Sequence, residues 1–206
     1  MEFVYEAEDA FPPEFCDFVI DKYEKSPHKS PGEVLKNINT GGKGRINDSI
    51  KKTIDIPTTI VFDDPEWREI ISKVQETCLN HTQLYYEKIR DENVDLSSKD
   101  SEYILNCLMS RIFFKTITFP QVQKYEPGGY FKWHDDYSPN KMISFLIYLN
   151  TLEEGDGGGT DFFCGKKVRP KKGKIVIFPA TWTYIHRGED LIKNSKYIIS
   201  MFGMSQ

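Results

Sequence analysis

Apolar residues recur along this chain in two different rhythms. In the first half they come every three to four positions. Phe15, Phe18, Val19 and Tyr23 form one such stripe, and Trp67, Ile70, Ile71, Val74, Cys78 and Leu84 form a second. Residues at that spacing share one face of a helix, so two amphipathic helices are predicted. Pro12-Pro13 stands ahead of the first stripe and Asp64-Pro65 ahead of the second. Proline suits a first helical turn, where its missing N–H costs nothing, and an aspartate there can cap free N–H groups. The second helix is expected to reach about Arg90. Between the two, Ser30 to Thr53 is polar and glycine-rich with weak periodicity. It reads as one long loop, either a lid or a surface excursion.

From about Arg111 the pattern changes to short strands separated by turn residues. The candidates are 111–118, 120–125, 130–134, 141–150, 160–164, 174–178, 184–186 and 195–203. Pro127-Gly128-Gly129, Ser138-Pro139-Asn140, 155–159 and 170–173 supply the turns. Strands this short and this closely spaced predict a sandwich, jelly roll or barrel, with the preceding helices covering one face. The expected class is therefore mainly β with α (α+β). The expected domain is single, 1–206, with helical and loop support over 1–110 and the β core over 111–206.

Composition narrows the function. The chain has 206 residues, 28% charged and 39% hydrophobic, which fits an ordered domain and argues against disorder. No apolar run is long enough to span a bilayer. Met1 to Glu6 lacks the basic-then-apolar profile of a signal peptide, so a cytoplasmic location is expected. With 27 Lys and Arg against 31 Asp and Glu the net charge is −4, which disfavours nucleic acid as a partner. Cys16, Cys78, Cys107 and Cys164 are scattered without a Cys-x-x-Cys pair, the pattern of reduced thiols. No heptad seam or self-pairing patch indicates an oligomeric state.

Four histidines are present. His28, in the polar loop, and His81, in the long helix, suit structural or surface roles. His134 begins the run His134-Asp135-Asp136 in a predicted strand, where residues two apart share a face. His134 and Asp136, joined by His186 from another strand, would present two imidazoles and a carboxylate to one side of a metal. Open positions on the other side are what a non-haem Fe(II) oxygenase needs. A bare His-x-Asp also arises by chance, as a strand histidine paired with a local acid. Lys196 adds weight, because alternation places it with Ile198 and Ser200 on the inner face of an apolar strand. A buried ammonium there calls for an anion, for which the distal carboxylate of 2-oxoglutarate is a candidate. The alternative is a lysine reaching out from a strand end.

The stretch from Gln121 to Phe202 resembles the prolyl 4-hydroxylase type of Fe(II)/2-oxoglutarate-dependent dioxygenases. These have a double-stranded β-helix (jelly roll), a His-x-Asp…His triad and a basic residue about ten positions beyond the second histidine. The resemblance implies that His134, Asp136 and His186 hold Fe(II) and that Lys196 binds the distal carboxylate of 2-oxoglutarate. Tyr125 and Tyr148 match positions that help to hold this co-substrate; either can instead be core packing with its hydroxyl bonded to backbone. Gly158-Gly159-Thr160 resembles a structural turn of the family. The carboxylate at Asp136 implies hydroxylation, since halogenating relatives carry a small residue there. The implied reaction consumes O2 and releases succinate and CO2, with ascorbate sustaining activity. A prolyl residue of a peptide or protein is the implied substrate, beside a free amino acid, another small molecule, or a non-catalytic jelly-roll binding role. Tyr130, Trp182 and Tyr184 are candidate docking aromatics. Ferrous ion, one aspartate, the 2-oxoglutarate dianion and the Lys196 ammonium sum to zero charge, as a low-dielectric site requires.

Overall fold

The computed structural model describes residues 3–34, 44–95 and 97–205. Two antiparallel sheets face each other. The larger takes the order β1 (Tyr5–Ala7), β13 (Ile175–Pro179), β10 (Lys141–Tyr148), β15 (Lys196–Met204), β8 (Gln121–Tyr125), β6 (Ile54–Pro57) and β2 (Ser30–Pro31), with β7 (Thr116–Ile117) also paired to β15. The smaller runs β12 (Lys167–Val168), β11 (Thr160–Phe162), β14 (His186–Gly188), β9 (Tyr130–His134) and β5 (Lys51–Lys52). A separate hairpin joins β3 (Glu33–Val34) to β4 (Arg45–Ile46). This is the jelly roll expected from the strand spacing.

Alternation gives the larger sheet two apolar faces. Val122, Ile143, Phe145, Ile147, Ile175, Ile177, Ile199 and Met201 point outward and are covered by helices. Helix α1 (Pro13–Lys25) contributes Cys16, Val19 and Tyr23; helix α2 (Pro65–Asn93) contributes Trp67, Ile70, Val74, Cys78, Tyr85 and Ile89. The carboxylate of Asp64 accepts from the N–H groups of Glu66 and Trp67, and so caps α2 as its sequence predicts. On the inward face Tyr125, Leu146, Tyr148, Val176, Phe178 and Ile198 meet Phe162 and Val168 of the smaller sheet. Among the described residues no helix is long and apolar enough to cross a membrane.

Several expectations are corrected. Residues 111–118 do not form one strand: helix α3 (Ser101–Ile112) ends there, and only Thr116 and Ile117 pair with β15. Ile104, Leu108 and Ile112 give this segment helical spacing. In place of a strand over 184–186, a 3-10 turn (Trp182–Tyr184) precedes β14. Alternation over 141–150 would put Met142 on one face with Ser144, Leu146 and Tyr148, but a bulge between Lys141 and Ile143 shifts it, and Met142 packs on the helical side. The barrel is not confined to 111–206: β1, β2, β5 and β6 add to both sheets from the first 57 residues. Of the expected lid, 35–43 lie outside the described residues; its flanks form β2 to β5.

Candidate active site

The smaller sheet positions both strand histidines. β9 and β14 pair antiparallel with His134 opposite His186, and the two rings lie 4.3 Å apart between centroids. Strand β9 stops at His134, so Asp136 comes from the following coil and not from strand alternation. Its carboxylate nevertheless turns back to the pair. His134 Nε2 is 3.9 Å from Oδ1, and His186 Nε2 is 3.8 Å from Oδ2. The three donor atoms all lie within 4.8 Å of one another.

Backbone carbonyls set the imidazole tautomers. His134 Nδ1 is 2.7 Å from the carbonyl oxygen of Lys132, and His186 Nδ1 is 3.1 Å from that of Tyr184. A carbonyl only accepts, so each Nδ1 carries the hydrogen and each Nε2 keeps its lone pair facing Asp136. Phe131 stacks on His134 at 3.5 Å with ring planes 13° apart, while Phe178 and Phe162 flank His186. Burial, with His186 beside it, depresses the His134 pKa to about 3, so its imidazole is neutral, the state a metal ion requires. Burial works against ionisation of Asp136. The imidazoles, Lys141 and a hydrogen bond from Ser144 outweigh it and hold the acid below its ordinary value.

Lys196 is buried between the two sheets. It is 1% exposed, and its Nζ donates to the carbonyl oxygen of Gly158 at 2.9 Å and lies 4.0 Å from the centre of the Tyr125 ring. Burial depresses its pKa to about 7, offset in part by Glu189. Among the described residues no carboxylate lies within ion-pair distance of this ammonium. The inner face of β15 therefore holds a cation fitted for an anion that the protein itself does not supply.

Tyr125 is directly opposite Lys196 in the β8–β15 register, and its ring is buried against the ammonium. Tyr148 shares the same inner cluster, but its hydroxyl donates to Oγ1 of Thr160 at 2.6 Å. Burial pushes both phenols far above their usual pKa, so both remain neutral. Thr160, read from sequence as part of a structural turn, thus has a buried hydroxyl on Tyr148, and Gly158 lends its carbonyl to Lys196. The other missed contributor is Ser144. Its inward placement was legible from alternation, but its bond to Asp136 was not.

The remaining candidates separate. Tyr184 accepts a hydrogen bond from the Phe3 N–H, Tyr130 donates to the carbonyl of Asp48, and Trp182 is 71% exposed. Arg187 forms two hydrogen bonds to Asp161 and lies 5.0 Å from the Trp133 ring, away from the histidine pair. His81 has Nδ1 2.9 Å from the Tyr5 hydroxyl, a structural contact. A separate cleft of about 320 Å³ is lined by Ser30, Asp55, Gln121, Ser200 and Phe202 among others.

The donor set fits a divalent iron centre: two imidazoles and one carboxylate, converging within 4.8 Å of one another. The separate buried cation fits a dicarboxylate. Comparison with known proteins agrees. Residues 120–203 match the model of the 2OG-Fe(II) oxygenase superfamily. No curated protein matches the chain in sequence. In fold it resembles the viral collagen prolyl hydroxylase of Paramecium Bursaria Chlorella virus-1, solved with 2OG, at 19% identity and TM-score 0.60, covering 100% of this chain and 97% of that one. A Pseudomonas putida prolyl-4-hydroxylase gives 12% identity and TM-score 0.64, over 99% and 94%. A Trichoplax adhaerens prolyl hydroxylase, in complex with a hypoxia inducible factor oxygen degradation domain peptide fragment, gives 14% and 0.68, over 98% and 83%. Residues 120–203 thus carry the pattern of the 2OG-Fe(II) oxygenase superfamily, and the fold of the whole chain is similar to that of prolyl hydroxylases.

Proposed function

We propose that this protein is a 2-oxoglutarate-dependent Fe(II) dioxygenase that hydroxylates a C–H bond of a prolyl residue within a peptide or protein. The observations that carry the reading are the convergence of His134, Asp136 and His186 and the burial of Lys196, without a carboxylate partner among the described residues, on the inward side of the larger sheet. Likeness to the Trichoplax enzyme, whose structure holds a peptide, supports the substrate class.

The residues divide the work. His134 and His186 would offer Nε2 lone pairs to the ferrous ion, and Asp136 would supply the third ligand and a negative charge. Ser144 fixes the carboxylate, and the two backbone carbonyls fix the rings. Lys196 would receive the distal carboxylate of 2-oxoglutarate, gaining the counter-charge that burial denies it. Leu146, Ile198, Val176 and Phe178 keep water from this part of the interior. Fe(II) bound there would activate O2, the oxidant, with one oxygen atom going to the C–H bond and the other to succinate as 2-oxoglutarate supplies two electrons and loses CO2. The cleft lined by Phe202 and Ser200 would admit a peptide segment.

The test is succinate release by the purified protein with Fe(II), ascorbate and 2-oxoglutarate, with and without proline-rich peptides or free amino acids. Peptide-stimulated turnover that His134→Ala abolishes is expected. Stimulation by free amino acids alone would move the substrate to a small molecule. No metal-dependent turnover under any condition would leave a binding module.

A further inference from the structure

A second buried charged group is the pair Lys51 and Asp55, apart from the candidate metal ligands, with Asp55 also lining the cleft described above. Lys51 Nζ and Asp55 Oδ2 are 2.6 Å apart, with the side chains only 3% and 2% exposed. Gln121 Nε2 donates to the same carboxylate oxygen at 3.0 Å. Desolvating two charges offsets most of their attraction, and an apolar pair of similar volume is often as stable, so stability alone does not account for this pair.

Its position does. Lys51 belongs to β5 of the smaller sheet and stands opposite Phe131; Asp55 belongs to β6 of the larger sheet and stands opposite Gln123. The ion pair therefore bridges β5, the edge strand of the smaller sheet, and β6, which lies one strand in from the β2 edge of the larger. The Lys51 ammonium lies 5.3 Å from the centre of the Phe131 ring, the ring that stacks flat on His134. The root of the loop rests on the same pair. Gly32 donates its N–H to the Thr53 carbonyl, and a Cβ on Gly32 would come within 2.9 Å of both Lys51 Cε and Asp55 Oδ2.

We propose that Lys51 and Asp55 are positioning residues for the metal centre, acting on His134 through Phe131. The pair fixes β5 against the barrel, β5 fixes Phe131, and the Phe131 ring restricts the imidazole to one orientation. A ligand held this way loses little rotational freedom when it binds a metal. The proposal rests on the reading of His134, Asp136 and His186 as metal ligands.

The test is Mn(II) affinity of the full chain, measured by calorimetry without 2-oxoglutarate. Removing a nearby positive charge would by electrostatics alone tighten binding of a dication. The positioning role predicts the opposite for Lys51→Met, roughly 10-fold weaker, the size typical of losing support behind a ligand. Lys51→Arg keeps the charge and should stay close to wild type. Lys51→Met strands a buried carboxylate and can unfold the chain, so Lys51→Met/Asp55→Met is the decisive variant. It should melt cooperatively near the wild-type temperature and still bind roughly 10-fold more weakly. Unchanged or tighter binding in the folded double variant would overturn the proposal. Should that variant unfold, Phe131→Leu takes its place, and wild-type affinity there would overturn it equally. A wild-type protein that binds no Mn(II) would sink the metal-site reading, and this proposal with it.

Discussion

The hydroxyl of Ser144 donates to Oδ2 of Asp136 at 2.7 Å, across eight residues of sequence. It ties a coil carboxylate to strand β10 of the larger sheet, while both histidines sit on the smaller one. The hydrogen bond thus locks the acid in the orientation that meets the two Nε2 atoms. Ser144→Ala should weaken Mn(II) or Fe(II) binding roughly 10-fold. Its effect on unfolding free energy should be near 1 kcal/mol. Titration of metal into the apo variant measures the first and thermal melting the second. Wild-type metal affinity would show that Asp136 needs no such anchor.

Lys196 should make co-substrate binding pH-dependent. Burial depresses its pKa to about 7, so the free protein loses the ammonium as pH rises through neutrality. Only the charged form pairs with a carboxylate. Affinity for 2-oxoglutarate, with metal saturating and oxygen absent, should therefore be full below pH 7. It should fall about tenfold per pH unit above it, the slope of a single lost proton. Lys196→Met should bind weakly and without that slope. Calorimetry from pH 6 to 9 decides; constant affinity across the range would mean that the amine stays protonated or makes no contact.

Tyr148 and Thr160 share one hydrogen bond, and their substitutions should differ in sign. While the phenol donates to Thr160, it has no second proton to give an anion. Thr160→Val frees that proton, at a cost of about 1–3 kcal/mol in stability for an unpaired buried hydroxyl. If Tyr148 contacts 2-oxoglutarate, Thr160→Val should hold or raise co-substrate affinity and Tyr148→Phe should lower it. Equal loss in both would assign the pair to packing.

Gly158 is held at φ +70° with its carbonyl on Lys196, and a Cβ there would come within 2.8 Å of Leu152 and Leu191. Gly158→Ala should cost about 1–2 kcal/mol from the left-handed backbone alone. Any shift of the carbonyl should also change the affinity for 2-oxoglutarate. A melt and a binding titration on the same variant separate the two effects, and wild-type values for both would show that this turn tolerates a side chain.

Periodicity and spacing by themselves determined the helices over Pro13–Lys25 and Pro65–Asn93, the strand-rich second half, and the order His134, Asp136, His186, Lys196. These are local quantities: a helix stripe, a cap or a two-residue alternation is written in neighbouring residues. Strands such as Lys51–Lys52 and Ser30–Pro31 are too short to carry a period. They exist because partners far along the chain complete their hydrogen bonds, as Tyr5 does opposite Ile177. Arg111, read as the start of a strand, became the end of a helix for a related reason, since two residues of strand signal follow a full helical stripe. Only the folded chain decided that Ser144 holds Asp136, that Gly158 faces Lys196, and that Lys51 meets Asp55 behind Phe131. Such contacts depend on the distance between two sheets, which is set by the packing of the whole core and by no segment alone.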